Sequence, residues 1–84
     1  MSKLNGHCRW SCELTDTMAG EANYSWVQRG TTLVPDSASR RTIVRRVKAE
    51  LGLTGTRCHT IDHGDMIELR PAGSCTVAFA TIEY

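Results

Sequence analysis

Most of the features that announce a protein's chemistry are missing from this chain of 84 residues. No apolar run approaches the ~18 residues that cross a bilayer as a helix, so no membrane-spanning helix is expected. The opening residues, Met1-Ser2-Lys3-Leu4-Asn5-Gly6, lack the apolar core of a secretory leader. A cytoplasmic location is therefore expected. Neither sign of charge dominates: ten Lys and Arg stand against nine Asp and Glu. That balance excludes both a strongly acidic mimic of nucleic acid and a histone-like polycation. The seven glycines never assemble into G-x-G-x-x-G or a phosphate-binding loop. A nucleophile-elbow serine is missing too. Glu13, Asp16 and Glu21 lie near one another in sequence, but nothing sets them at the fixed separation that paired acid–base catalysis needs. No enzyme and no cofactor are expected.

What is present reads as one small globular domain, residues 1–84. A chain of this size buries roughly 60–65% of its unfolded surface, enough for a modest core without staples. Four cysteines would suit two disulfides in a secreted chain, but the secretory context is absent. Cys8 and Cys12 have a spacing that zinc accepts, whereas Cys58 and Cys75 form no second knuckle. Adding His7, His59 or His63 to complete a set is outweighed by the tendency of cysteine simply to be buried. Reduced core thiols and no metal are expected.

Local patterning predicts the fold. Cys8, Trp10, Cys12 and Leu14 alternate with Arg9, Ser11, Glu13 and Thr15, the period of a strand with one wet face, ending near Asp16. Thr17 to Glu21 breaks the alternation, with Gly20 free to take positive φ. Asn23 to Val34 is rich in β formers, and Gly30 within it suggests a bulge or bend. These two runs are best paired as an antiparallel hairpin. Pro35-Asp36-Ser37 then opens a helix from about Ser37 to Leu51, with Asp36 or Ser37 as N-cap and Gly52 as the stop. Ile43, Val44, Val47 and Leu51 form its apolar stripe. Arg57–Ile61 and Met66–Arg70 flank a turn, Asp62-His63-Gly64-Asp65, and a last strand runs from Cys75 to Tyr84 after Pro71-Ala72-Gly73-Ser74. The order is β-β-α-β-β-β: an α+β fold with one amphipathic helix packed on an antiparallel sheet.

The one concentrated feature is basic. Arg40, Arg41, Arg45, Arg46 and Lys48 fall within nine consecutive helical positions and are the candidate partner-binding residues. At 100° per residue Arg41, Arg45 and Lys48 share one flank, and Arg46 lies on the other, four residues before Glu50. A solvated outer face would look the same. The functional alternative is a cationic stripe against phosphates or an acidic protein surface, for which arginine's planar fork is suited. Arg9 and Arg29 could extend that surface beside the helix. Tyr24 and Trp26, two apart, suggest a base-stacking sheet, but with only five aromatics in the chain they are expected in the core, and the Arg-Gly-Phe signature of such sheets is absent. His63 between two carboxylates suggests a general base, yet Asp and Gly suit a tight turn for backbone reasons alone.

The segments Thr15–Val27, containing Gly20-Glu21-Ala22-Asn23-Tyr24-Ser25-Trp26-Val27, and Gly64–Pro71, beginning Gly64-Asp65-Met66-Ile67, resemble those of small phage and prophage accessory proteins. The resemblance runs over most of the chain from about Trp10. It supplies no catalytic motif. What it implies is a phage accessory factor in the host-cell cytoplasm. Phage proteins of this size and β-rich, single-helix make-up include anti-CRISPR inhibitors. The expected role, by class and not by motif, is therefore binding of a protein subunit of a type I CRISPR surveillance complex, blocking target DNA. The near-neutral charge departs from the acidic, DNA-mimicking inhibitors of that class, which favours docking on a protein subunit. A small nucleic-acid-binding regulator using the basic helix face is the alternative.

Overall fold

The computed structural model describes residues 6–83. Five strands form one sheet: β1 (His7–Met18), β2 (Glu21–Pro35), β3 (Cys58–Asp62), β4 (Met66–Pro71) and β5 (Thr76–Glu83). The helix, α1 (Arg40–Glu50), comes between β2 and β3. Every pairing is antiparallel, in the order β2-β1-β5-β4-β3, so the expected α+β architecture is the one observed. Among the described residues no helix is long and apolar enough to cross a membrane.

The alternation in β1 decides which face is covered. Trp10, Cys12 and Leu14 turn toward α1 and join Val34, Ile43, Val47, Leu51, Ile67 and Leu69 in one buried cluster. Ala78 and Ala80 of the central strand β5 complete it, their small side chains allowing close packing. Of the four residues assigned to the helix stripe, Ile43, Val47 and Leu51 are buried and Val44 is half-buried at the border.

The helix begins later than expected. Asp36 and Ser37 do not cap it; Ser39 does, accepting from the Thr42 amide at 3.2 Å. Residues 36–38 are spent on a turn, in which the Ala38 amide donates to the Pro35 carbonyl and the Asp36 amide to that of Gly6. The end is as the sequence predicts. Gly52 takes φ +74, the Leu53 amide donates to the Lys48 carbonyl at 2.7 Å, and the Gly52 amide donates to Ala49. Those two bonds satisfy carbonyls that the last turn would otherwise leave open, in the Schellman arrangement.

One feature of the long hairpin departs from expectation. Its irregularity is not at Gly30, where Cys12 and Gly30 pair in register, but opposite Asp16. Thr15 pairs with Val27 and Thr17 with Ala22, so Asp16 alone faces residues 23–26. Gly30 instead makes room for α1: a Cβ there would come within 2.9 Å of the Glu50 Cγ, so that side chain would have to swing aside. The hairpin's tip is as expected at Gly20: Ala19 and Gly20 both take positive φ, at 55 and 83, as a two-residue turn of mirror type requires. The Arg70 guanidinium donates to the Gly20 carbonyl at 2.9 Å, which ties the tip to β4. Near this end Thr15 and Val77 are fully buried on the face away from α1.

Candidate functional site

The five helix cations divide into two groups. Arg41, Arg45 and Lys48 come together with Val44, Thr54 and Gly55 around a shallow groove of about 350 Å³, between the helix and the segment that follows it. Arg41 and Arg45 are exposed and Lys48 is half-buried. None of the three has an acidic partner within 4 Å among the described residues. The i, i+4, i+7 spacing sets them on one flank, and the Gly52 turn brings Thr54 and Gly55 back alongside.

Arg40 and Arg46 make bonds within the fold. Arg40 pairs with Asp62 at 3.3 Å, donates to the Gly64 carbonyl at 2.7 Å and lies over the Trp10 ring, 5.6 Å from its centroid. One side chain thus fastens the start of the helix to the β3–β4 turn. Arg46 donates to the Leu33 carbonyl of β2 at 3.3 Å. The Glu50 carboxylate lies over Gly30, where its charge bears on Cys12.

The Asp62–Asp65 segment is a structural turn. Asp62 accepts from the Gly64 amide at 2.8 Å, and His63 meets Glu68 at 3.2 Å. Arg70 lies 2.6 Å from the other Glu68 oxygen. Burial alone would raise the Glu68 pKa; the bonds from His63 and Arg70 outweigh it and hold the carboxyl below its ordinary range. No group of three or more His, Cys, Asp or Glu that could hold a metal ion occurs among the described residues. The cysteines differ in setting. Cys12 is buried, and burial first, then Glu50, pushes its thiol up to about 12. Cys8 and Cys58 are half-buried, donating to Asp36 and to the Thr56 carbonyl. Cys75 is exposed in a turn, contrary to the expectation that all four are core residues.

The aromatic pair lies outside the core, against the expectation from its hydrophobicity. Tyr24 and Trp26 are not in the core; they are 48% and 45% exposed, whereas Trp10 is 2% exposed. Asp16 explains this. Its carboxylate accepts from the Ser25 hydroxyl at 2.6 Å and amide at 2.9 Å, and from the Asn23 amide group at 2.9 Å. The Thr15 hydroxyl donates to the Trp26 carbonyl at 2.7 Å. Residues 23–26 are thereby held out from the ladder as a wide bulge, with Tyr24 at φ +56. The same bonds, led by the Ser25 hydroxyl, drive the Asp16 pKa far below the usual carboxylate range. The Tyr24 hydroxyl donates to Glu13, a bond that raises the phenol's pKa. Glu13 also lies 3.8 Å from Arg29. Arg29, and Arg9 by alternation with Trp10, therefore belong to the sheet face opposite the helix and do not extend its cationic stripe. The signal available in the sequence was the Asp16–Asn23–Ser25 set, whose side chains favour local bonds to backbone.

No protein-family model, curated protein or solved structure matches the chain.

Proposed function

We propose that this protein is a non-enzymatic phage accessory factor that works by binding, as an anti-CRISPR-type inhibitor seated on a protein subunit of a type I CRISPR surveillance complex and blocking target DNA. The observation that carries the reading is the unneutralised trio Arg41, Arg45 and Lys48 around one groove. Where the other exposed cations of α1 are absorbed by the fold, these three keep their charge for a partner. Two guanidiniums and an ammonium beside a half-buried valine suit carboxylates on a protein surface, with the apolar border excluding water. The near-neutral whole-chain charge favours this local complementarity over broad attraction to a polyanion.

The test mixes purified type I complexes with the protein, followed by size exclusion and a target-DNA shift assay. Co-elution with loss of the shift is the expected result. Passage through the column free of every type I complex from the host range would overturn the reading. Binding to naked DNA or RNA that collapses with salt, without co-elution, would replace it with the nucleic-acid regulator. Reversing Arg41, Arg45 and Lys48 together to Glu should leave the far-ultraviolet spectrum unchanged and weaken partner binding by more than about tenfold, since attraction becomes like-charge repulsion. Undiminished inhibition by that variant would remove the helix from the interface.

A further inference from the structure

The sheet face turned away from α1 carries a second concave surface, independent of the helix cations. Two cross-strand rows form its floor. One runs Arg29–Glu13–Phe79–Glu68 and the other Thr31–Ser11–Thr81–Met66, across β2, β1, β5 and β4. Parts of both rows line a groove of about 630 Å³, and Tyr24 joins them from the bulge. That volume falls in the range of small-molecule sites.

We propose that this groove binds a neutral, flat heteroaromatic ring of the nucleobase class, stacked on its aromatic side chains with its polar edge met by the hydroxyls of the floor. Four observations support the assignment. An open antiparallel sheet with a helix on its back is a surface on which bases stack when it presents aromatic rings, and Phe79 is on the central strand while Tyr24 is beside it in the lining. Tyr24 is not a loose surface residue: the Asp16-held bulge fixes its backbone in the left-handed region, and its hydroxyl is tied to Glu13. The groove's charges cancel, because Glu13 is offset by Arg29 and bonded by Tyr24, so the complementary occupant is uncharged. Lastly, the Thr31 and Thr81 hydroxyls are exposed and make no bond among the described residues, leaving donors and acceptors for a ring edge.

The test is an amide-resolved NMR titration of the intact protein with adenosine and with uridine, whose lack of phosphate removes any pull from the helix. Shifts gathered at Ser11, Thr31, Phe79 and Thr81 are expected, with a Kd on the order of 1 mM for a single stacked ring. Tyr24→Ala should weaken the titration by about fivefold or more. Thr81→Arg, which fills the groove from an exposed position, should abolish it, and the reversal of Arg41, Arg45 and Lys48 to Glu should leave it unchanged. Absence of shifts with either nucleoside would overturn the proposal, as would unchanged titration of both groove variants in their folded state. A short single strand of the same base distinguishes the source. Binding more than about tenfold tighter than the nucleoside, in the helix-reversal background, identifies a strand; equal binding identifies a free nucleoside or nucleotide.

Discussion

Truncating Val47 to alanine tests how the helix is rotated on the sheet. Val47 is 1% exposed, in the middle of the helix stripe, within a cluster that includes Trp10, Cys12 and Val34. The substitution removes two methyl groups at about 0.8 kcal/mol each, roughly 1.6 kcal/mol of transfer energy. The vacated space adds a cavity cost, because neighbours on a hydrogen-bonded sheet relax only in part. Alanine's better helix propensity returns about 0.5 kcal/mol. The net loss should be about 1–3 kcal/mol. For a domain of this size each kcal/mol moves the melting temperature by about 4–8 °C, so a drop of roughly 4–24 °C should be seen by calorimetry. Arg45→Ala is the control. Its side chain is exposed and makes no ion pair among the described residues, so it should stay within about 0.5 kcal/mol. Urea titrations would check that the slope is unchanged and that the shift is one of stability alone. Equal losses from the two substitutions would refute the rotation and, with it, the grouping of Arg41, Arg45 and Lys48 on a free flank.

Three other outcomes follow from contacts around the core. Arg40→Ala removes an ion pair, a bond to the Gly64 carbonyl and the contact with Trp10; a loss of about 0.5–1.5 kcal/mol and faster amide exchange in the Asp62–Asp65 turn are expected. Unchanged exchange there would show that the turn holds itself. The depressed Asp16 pKa means its contribution is complete above the ordinary carboxylate value of about 3.9 and fades only as pH falls through the lower folded value. Emission from exposed Trp26, compared between the parent and Asp16→Asn, should therefore stay flat from neutrality down through pH 4 in the parent; a transition centred at or above 4 that the variant lacks would contradict the bonding of the bulge. Gly30→Ala should be tolerated within about 1 kcal/mol, because the clashing group is the swinging end of Glu50 and alanine suits a strand better than glycine. A loss of several kcal/mol in urea would mean that Glu50 cannot move.

The parts of the fold that were legible in the sequence are those where one residue's neighbours along the chain decide its environment. The alternation from Cys8 to Thr15 sorts β1 into two faces without reference to any other element, and Gly52 ends α1 through its own backbone freedom. The start of α1 is not legible locally, because Asp36, Ser37 and Ser39 can all cap, and only the turn formed by residues 36–38 selects Ser39. For the aromatic pair hydrophobicity argues for burial, whereas Asp16, up to ten residues away, holds the segment out of the ladder. Gly30 looked like a bend for want of a partner that is twenty residues on. For the candidate site, helical spacing grouped Arg41, Arg45 and Lys48, but it could not separate them from Arg40 and Arg46. That separation depends on Asp62, Gly64 and Leu33, which only the folded chain brings near.

The order of the sheet leaves β2 and β3 as its borders, and the two are unequal in risk. β3 is five residues long, too short to recruit another strand firmly, whereas β2 runs for fifteen. A flat border of that length would be a template for edge-to-edge fibril growth. Several features break it into short lengths: the bulge at 23–26 interrupts its straight run, Arg46 occupies the Leu33 carbonyl, and Pro35, which lacks an amide hydrogen, ends it. Through that bulge the carboxylate of Asp16 sets how much straight edge β2 offers, as well as local shape. A chain deprived of it would be expected to lose solubility on concentration before it loses its melting transition.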